Sequence, residues 1–231
     1  MANIHFVGGE KGGVGKSLLA RVLAQYMIDR NIPFLGFDTD RSHAALLRFY
    51  PGYASAVVVD RYDALDAIVE AAVQVPERRI LVDLAAQTHE PLVKWMDDSG
   101  LLGLADETGL SLHYWHVMDC GLDSVHLLKK LLDRFGTGLK YVLVRNQVRG
   151  NDFNALEQSG EQARAQQLGA KIITVKHLHD DVINKIDAAS SRFWKAQGSQ
   201  EQDPAGLGLM DRQRLKVWMR DLYREFDDVG V

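Results

Sequence analysis

The chain has 231 residues, 46% of them apolar and 25% charged, with a formal net charge of −4. That length and apolar share can bury a sizeable core without staples, and the lone cysteine, Cys120, excludes a disulfide framework and suits a reducing compartment. The slightly acidic balance gives no global footprint for nucleic acid, and no apolar run reaches the ~18 residues of a membrane span, so a cytoplasmic protein is expected.

Residues 3–7 read as a first buried strand, and the next informative segment is Lys11-Gly12-Gly13-Val14-Gly15-Lys16-Ser17. A phosphate loop usually runs Gly, four residues, Gly-Lys-Ser/Thr; here the first glycine position holds Glu10, and a second lysine and a glycine pair follow it. Gly12, Gly13 and Gly15 permit positive φ and close backbone approach to phosphates. Lys16 is placed to contact the outer phosphates and the Ser17 hydroxyl to ligate Mg²⁺. Leu19, Val22, Leu23, Tyr26 and Met27 recur at helical spacing, so a helix over 16–30 starts at the loop and points its positive dipole at the phosphates.

Residues 34–37 read as a strand ending in Asp38-Thr39-Asp40, and 80–84 as another carrying Asp83. Polar residues at the carboxyl ends of parallel strands open onto a ligand crevice, and Asp83 fits a carboxylate that reaches Mg²⁺ through water. Further strands are expected at 57–59, 112–118, 140–144 and 171–175, and helices at 63–75, 90–98, 123–135, 152–168 and 180–196. Residues 198–208 read as a loop before an amphipathic helix over 209–228. The alternation predicts one α/β domain spanning 1–231, a mostly parallel sheet covered by helices on both faces. Core packing is the favoured reading of the last helix's apolar stripe; membrane contact is disfavoured, because Asp221, Glu225, Asp227 and Asp228 dilute its basic residues. His177 and His179 are not read as a metal site, for want of ligands at suitable spacing.

Residues 11–17, Asp38-Thr39-Asp40 and Asp83 together resemble the deviant Walker A signature of the ParA/MinD family of P-loop ATPases. The resemblance is strong over 3–88 and faint to about 190. It implies ATP and Mg²⁺ as ligands, a nucleotide site of Gly12, Gly13, Val14, Gly15, Lys16, Ser17 and Leu18, and a metal site of Ser17, Asp38 and Asp83. It further implies that Lys11 reaches across a two-fold interface to the partner's nucleotide, that Asp40 positions attacking water, and that Asn146 meets the adenine edge. Residues 176–179 would then pack on the other side of the base. The partners implied are a second copy bound through ATP and either non-specific DNA or a DNA-bound protein. Arg41-Ser42-His43 stands where partition ATPases have Pro-Gln-Gly, and Leu18 replaces a usual threonine, which departs from the standard partition pattern. TraL-like relatives involved in conjugal transfer and mobilisation have a similar Asp-Thr-Asp segment, so plasmid partition, mobilisation or positioning of another macromolecular cargo is implied. An ATP-driven switch is the leading expectation. A metabolic ATP-dependent ligase of the same fold and a non-hydrolysing ATP-binding module are the alternatives.

Overall fold

The computed structural model describes residues 2–9, 11–193 and 205–231. Seven strands, β1 (Asn3–Gly8), β2 (Phe34–Asp38), β3 (Ala54–Ala56), β4 (Arg79–Asp83), β5 (Ser111–Met118), β6 (Lys140–Asn146) and β7 (Lys171–Val175), form one sheet in the order β3-β2-β4-β1-β5-β6-β7. Every pairing is parallel. Parallel strands need crossovers, and helices supply them. These are α1 (Lys16–Asp29), α2 (Ala45–Phe49), α3 (Tyr62–Gln74), α4 (His89–Asp98), α5 (Leu101–Thr108), α6 (Leu122–Phe135), α7 (Asn154–Gln158), α8 (Glu161–Gln167), α9 (Asp180–Ala188) and α10 (Leu209–Val229).

The strand side chains alternate between two cores. Ile4, Phe6, Ile80, Val82, Leu112 and Tyr114 meet the α3–α6 side, with Leu65, Trp95 and Leu128. Val7, Leu81, Trp115 and Val117 meet the α1, α9 and α10 side, with Leu23, Val182 and Phe226. A sheet buried on both faces explains why its strands read as nearly continuous apolar runs.

Three expectations need correction. The third strand is Ala54–Ala56 rather than 57–59, since Gly36–Asp38 of β2 pair with those residues; Val57 adds a hydrogen bond to Asp38 O (2.8 Å) but leaves the ladder. The helix expected over 152–168 is two, because Gly160 turns left-handed (φ +79°) between α7 and α8. Helices α2 and α5 were not foreseen: α2 has only five residues, and α5 restarts the chain after a left-handed Gly100. The helix expected over 180–196 ends at Ala188, with Ser190 turned left-handed (φ +47°) soon after, and positions 194–204, which include most of the loop expected over 198–208, lie outside the described residues. The last helix runs Leu209–Val229.

β1 lies between β4 and β5, and the chain leaves it through α1 towards β2, then returns on the far side through β5. This switch point opens a crevice at the carboxyl ends of β4, β1 and β5. No described helix is long and apolar enough to cross a membrane.

Candidate nucleotide site

The loop after β1 follows from its glycines. Gly13 and Gly15 take φ +72° and +94°, where a side chain would be strained, while Gly12 needs no positive φ and has open space around it. Gly9 lies so close to β5 that a Cβ would come within 2.4 Å of Val117 O. Val14 is buried and pins the loop into the α1 core, and Leu18 packs there partly buried. Gly15 is the N-cap of α1, so the first free N–H groups of that helix belong to Lys16, Ser17 and Leu18. Lys16 is buried and donates to Lys11 O at 3.0 Å, which folds the loop around its own ammonium.

The carboxylates arrive from the neighbouring strands. Asp38 and Asp83 are register partners at the ends of β2 and β4. Both are buried. Asp38 accepts from Asp40 N (3.0 Å) and Leu47 N (3.1 Å), yet burial still raises its pKa. Asp83 is the extreme case, for neither of its carboxylate oxygens has a hydrogen-bond partner of ordinary geometry. Burial first and the Asp38 charge second push its carboxyl up to about 8, with the Ser17 hydroxyl and Lys16 ammonium offsetting only part. An uncompensated buried carboxylate beside another carboxylate is the donor set a divalent cation satisfies. Among the described residues no three His, Cys, Asp or Glu side chains could cage a metal alone. A Mg²⁺ here fits only as an ion shared with phosphate oxygens, which is its usual habit.

Asp40 sits differently. Its carboxylate accepts from Ser42 N (2.8 Å) and His43 N (3.1 Å) and lies 3.3 Å from His43 Nδ1. Burial opposes its ionisation, but these donors keep its pKa low. The Arg41-Ser42-His43 segment is thus a turn closed on Asp40, lining a groove of about 460 Å³ with Thr39, Gln87 and Thr88. Thr39, which the sequence did not single out, stitches β2 to β4 by donating to Asp83 O (3.0 Å) and accepting from Ala85 N (2.8 Å).

Asn146, at the end of β6, is buried and donates to Val14 O (2.7 Å) while its Oδ1 accepts from Val148 N (3.3 Å). It braces the phosphate loop: a Gly15 Cβ would stand 2.2 Å from its Nδ2. Residues 176–179 line a separate groove of about 440 Å³ with Gln213, Arg214, Val217 and Trp218 of α10.

Two residues that the sequence did not assign to this site, Asp119 and Arg149, complete the mouth; in the sequence Arg149 reads only as a candidate for a basic surface patch. Asp119, directly after β5, receives Lys11 Nζ at 3.1 Å and Arg149 Nη1 at 3.1 Å. Asp119 was discoverable by the rule that found Asp38 and Asp83, a carboxylate at the carboxyl end of an apolar strand. Arg149 carried no such signal, since only the fold brings residue 149 back to residue 12.

Over its whole length the chain is 27% identical to the protein TraL of Escherichia coli, spanning all of that protein. It is 24% identical to the protein MobD of Acidithiobacillus ferrooxidans, covering 98% of this chain and 97% of MobD. Among solved structures, the MinD cell division protein of Aquifex aeolicus superposes with a TM-score of 0.54 at 13% identity, over 94% of this chain and 97% of that one. A ParA family ATPase of Chlorobium tepidum gives 0.50 at 16% identity, over 89% and 98%. At such identities these structures speak for the fold alone. The family model described as the CobQ/CobB/MinD/ParA nucleotide-binding domain matches residues 5–191. The phosphate loop, the two strand-end carboxylates and this match lead to one conclusion: the chain belongs to the CobQ/CobB/MinD/ParA nucleotide-binding family.

Proposed function

We propose that the protein is an ATP-dependent switch whose nucleotide closes a sandwich of two copies and whose slow hydrolysis reopens it. The observation that carries this reading is the pairing of a left-handed glycine loop on α1 with a buried, under-compensated Asp83, beside a second loop cation, Lys11. Mg²⁺-ATP would supply the phosphoanhydride bond and the counter-charge for the two aspartates. Lys16 and the N–H groups of 12–18 would hold the phosphates, Ser17 with Asp38 and Asp83 the cation. Asn146 would keep the loop in shape and offer its second amide N–H to the base. Lys11 would cross to the partner's nucleotide, and Asp40 would orient water once released from its turn.

Kinship with TraL and MobD favours a cargo in conjugal transfer or plasmid mobilisation, a DNA-bound protein assembly or DNA itself. One observation favours a second reading. Asp40 is committed to its own turn by two backbone N–H groups, which suits a chain that binds ATP without hydrolysing it.

Light scattering with Mg²⁺ and a non-hydrolysable ATP analogue tests the switch. The expected outcome is a mass that doubles relative to ADP and stays monomeric in Lys11→Ala. Bound analogue with unchanged mass would sink it. Phosphate release that persists in Asp40→Ala would remove Asp40 from the mechanism, and none from the parent chain would favour passive binding.

A further inference from the structure

Asp119 is only 3% exposed in its side chain, yet donors converge on it from three parts of the chain. Ser124 Oγ donates to Oδ1 at 2.6 Å and Gly121 N at 3.1 Å, both from just downstream. The other two donors are cations of the loop mouth. Lys11 Nζ lies 3.1 Å from Oδ2, and Arg149 Nη1 lies 3.1 Å from the same oxygen. Arg149 reaches the loop with its second nitrogen, Nη2, which is 3.4 Å from Gly12 O and 2.8 Å from where a Gly13 Cβ would stand. Its guanidinium therefore covers the Gly12–Gly13 backbone that a phosphate chain would follow.

The arrangement is a choice between anions. With Ser124 and Gly121 alone Asp119 keeps two donors on Oδ1, while Oδ2 gives up both of its partners, so release of the cations carries a cost that their new acceptor must offset. Lys11 and Arg149, once released, would stand with Lys16 around one loop and need an acceptor of negative charge. Phosphate oxygens supply it, and a guanidinium suits them with two parallel donors.

We propose that Asp119 competes in cis with nucleotide phosphates for Lys11 and Arg149, which makes Arg149 a further phosphate-contacting residue and Asp119 the residue that sets how readily Lys11 is given up. The proposal rests on the switch reading for its consequence, a nucleotide-dependent dimer, but its first readout does not need one. That readout is the rate at which an amine-reactive reagent labels Lys11 in the full chain, followed by peptide mass spectrometry.

Without nucleotide, Asp119→Asn is expected to label about tenfold faster than the parent chain, the size of one charge-assisted hydrogen bond. Asp119→Glu should restore slow labelling, which a merely structural role for the position would not require. With Mg²⁺ and the ATP analogue, Asp119→Asn should form dimers at about tenfold lower analogue concentration. Arg149→Gln should bind the analogue about tenfold more weakly while Lys11 stays slow to label. Equal labelling of Lys11 in Asp119→Asn and the parent chain would overturn the competition. Parent-like analogue affinity in Arg149→Gln would overturn the phosphate contact. Arg149 is half exposed, so its variant keeps the test decisive even if Asp119→Asn fails to fold. A parent chain that binds the analogue without doubling its mass would end the switch reading, and the labelling comparison would still decide this one.

Discussion

Asp83 ends a strand at a place where function and stability pull apart. Its carboxyl is pushed up to about 8, and neither oxygen has a hydrogen-bond partner of ordinary geometry. A carboxyl whose folded pKa lies above its unfolded value leaves stability untouched below about 4, where both states are protonated. It costs progressively more as pH rises, and the cost is complete above about 8, where folding must bury the charge. Asp83→Asn is therefore expected to stabilise the nucleotide-free chain at pH 8 by about 1–3 kcal/mol, with the gain gone near pH 4. Urea denaturation at the two pH values checks this, and no gain at pH 8 would mean that the carboxylate is already compensated. The same substitution should abolish Mg²⁺-dependent nucleotide binding, the trade expected of a site held in an unfavourable state for its ligand. At this scale the sequence was explicit about Lys16 and Ser17, through the glycine loop that precedes them, and about Asp38 and Asp83, because a strand-end position aims a side chain at the crevice. It gave no sign that Arg149 joins the loop, since its neighbour in space is 137 residues away.

Strands β1 and β5 carry an unusual load for the centre of a sheet. His5 and His113 are register partners with rings stacked 4.7 Å apart, and Trp115 Nε1 donates to His5 Nδ1 at 3.2 Å. Burial first, then neighbouring positive groups, lowers His5 well below its ordinary value and His113 to about 4. His116, buried by α6, also falls to about 4, again chiefly through burial. These rings fold neutral, so their contribution is intact above pH 6.5, where the unfolded chain is neutral too. It declines as pH falls from 6.5 towards 4 while only the unfolded chain takes up protons. Each ring can cost up to ~1.4 kcal/mol per pH unit in that window. The denaturation midpoint should thus drop steeply between pH 6.5 and 5, and His113→Leu should flatten the slope; a flat parent profile would refute the assignment. Element type was legible wherever an apolar run or a helical stripe was long. It failed at β3, α2, α5 and the α7–α8 break, where short segments leave no room for a period to show.

On the scale of the whole molecule, α10 helps to cover one face of the open sheet. It lies along the α1 side of the sheet against β7, with Leu215, Trp218, Met219, Leu222 and Phe226 buried. Phe226 meets Tyr26 of α1 and Trp115 of β5 edge-on, at 5.4 and 5.7 Å between ring centres. Ion pairs tie the same helix down, Arg30 to Asp227 at 2.6 Å and Lys176 to Asp221 at 3.2 Å. Asp221 also meets Arg220 and Arg224, so much of the basic stripe is answered within the molecule. Phe226→Ala is expected to cost about 3–5 kcal/mol, read from the urea midpoint. A loss below about 1 kcal/mol would mean that α10 is an appendage rather than part of the core.

The sequence by itself determined the layered α/β architecture, the phosphate loop and the carboxylates that face it. These depend on local periodicity and on one rule of parallel sheets, that strand ends share an edge. Tertiary structure alone decided the electrostatic state of that edge. Asp119 draws Lys11 and Arg149 together, Asn146 braces Val14, and Asp83 is left without a hydrogen bond of ordinary geometry. Each of these depends on which strands become neighbours and how deeply their ends are buried. Distance in space and desolvation are properties of the folded chain, and no spacing of residues along it encodes them directly.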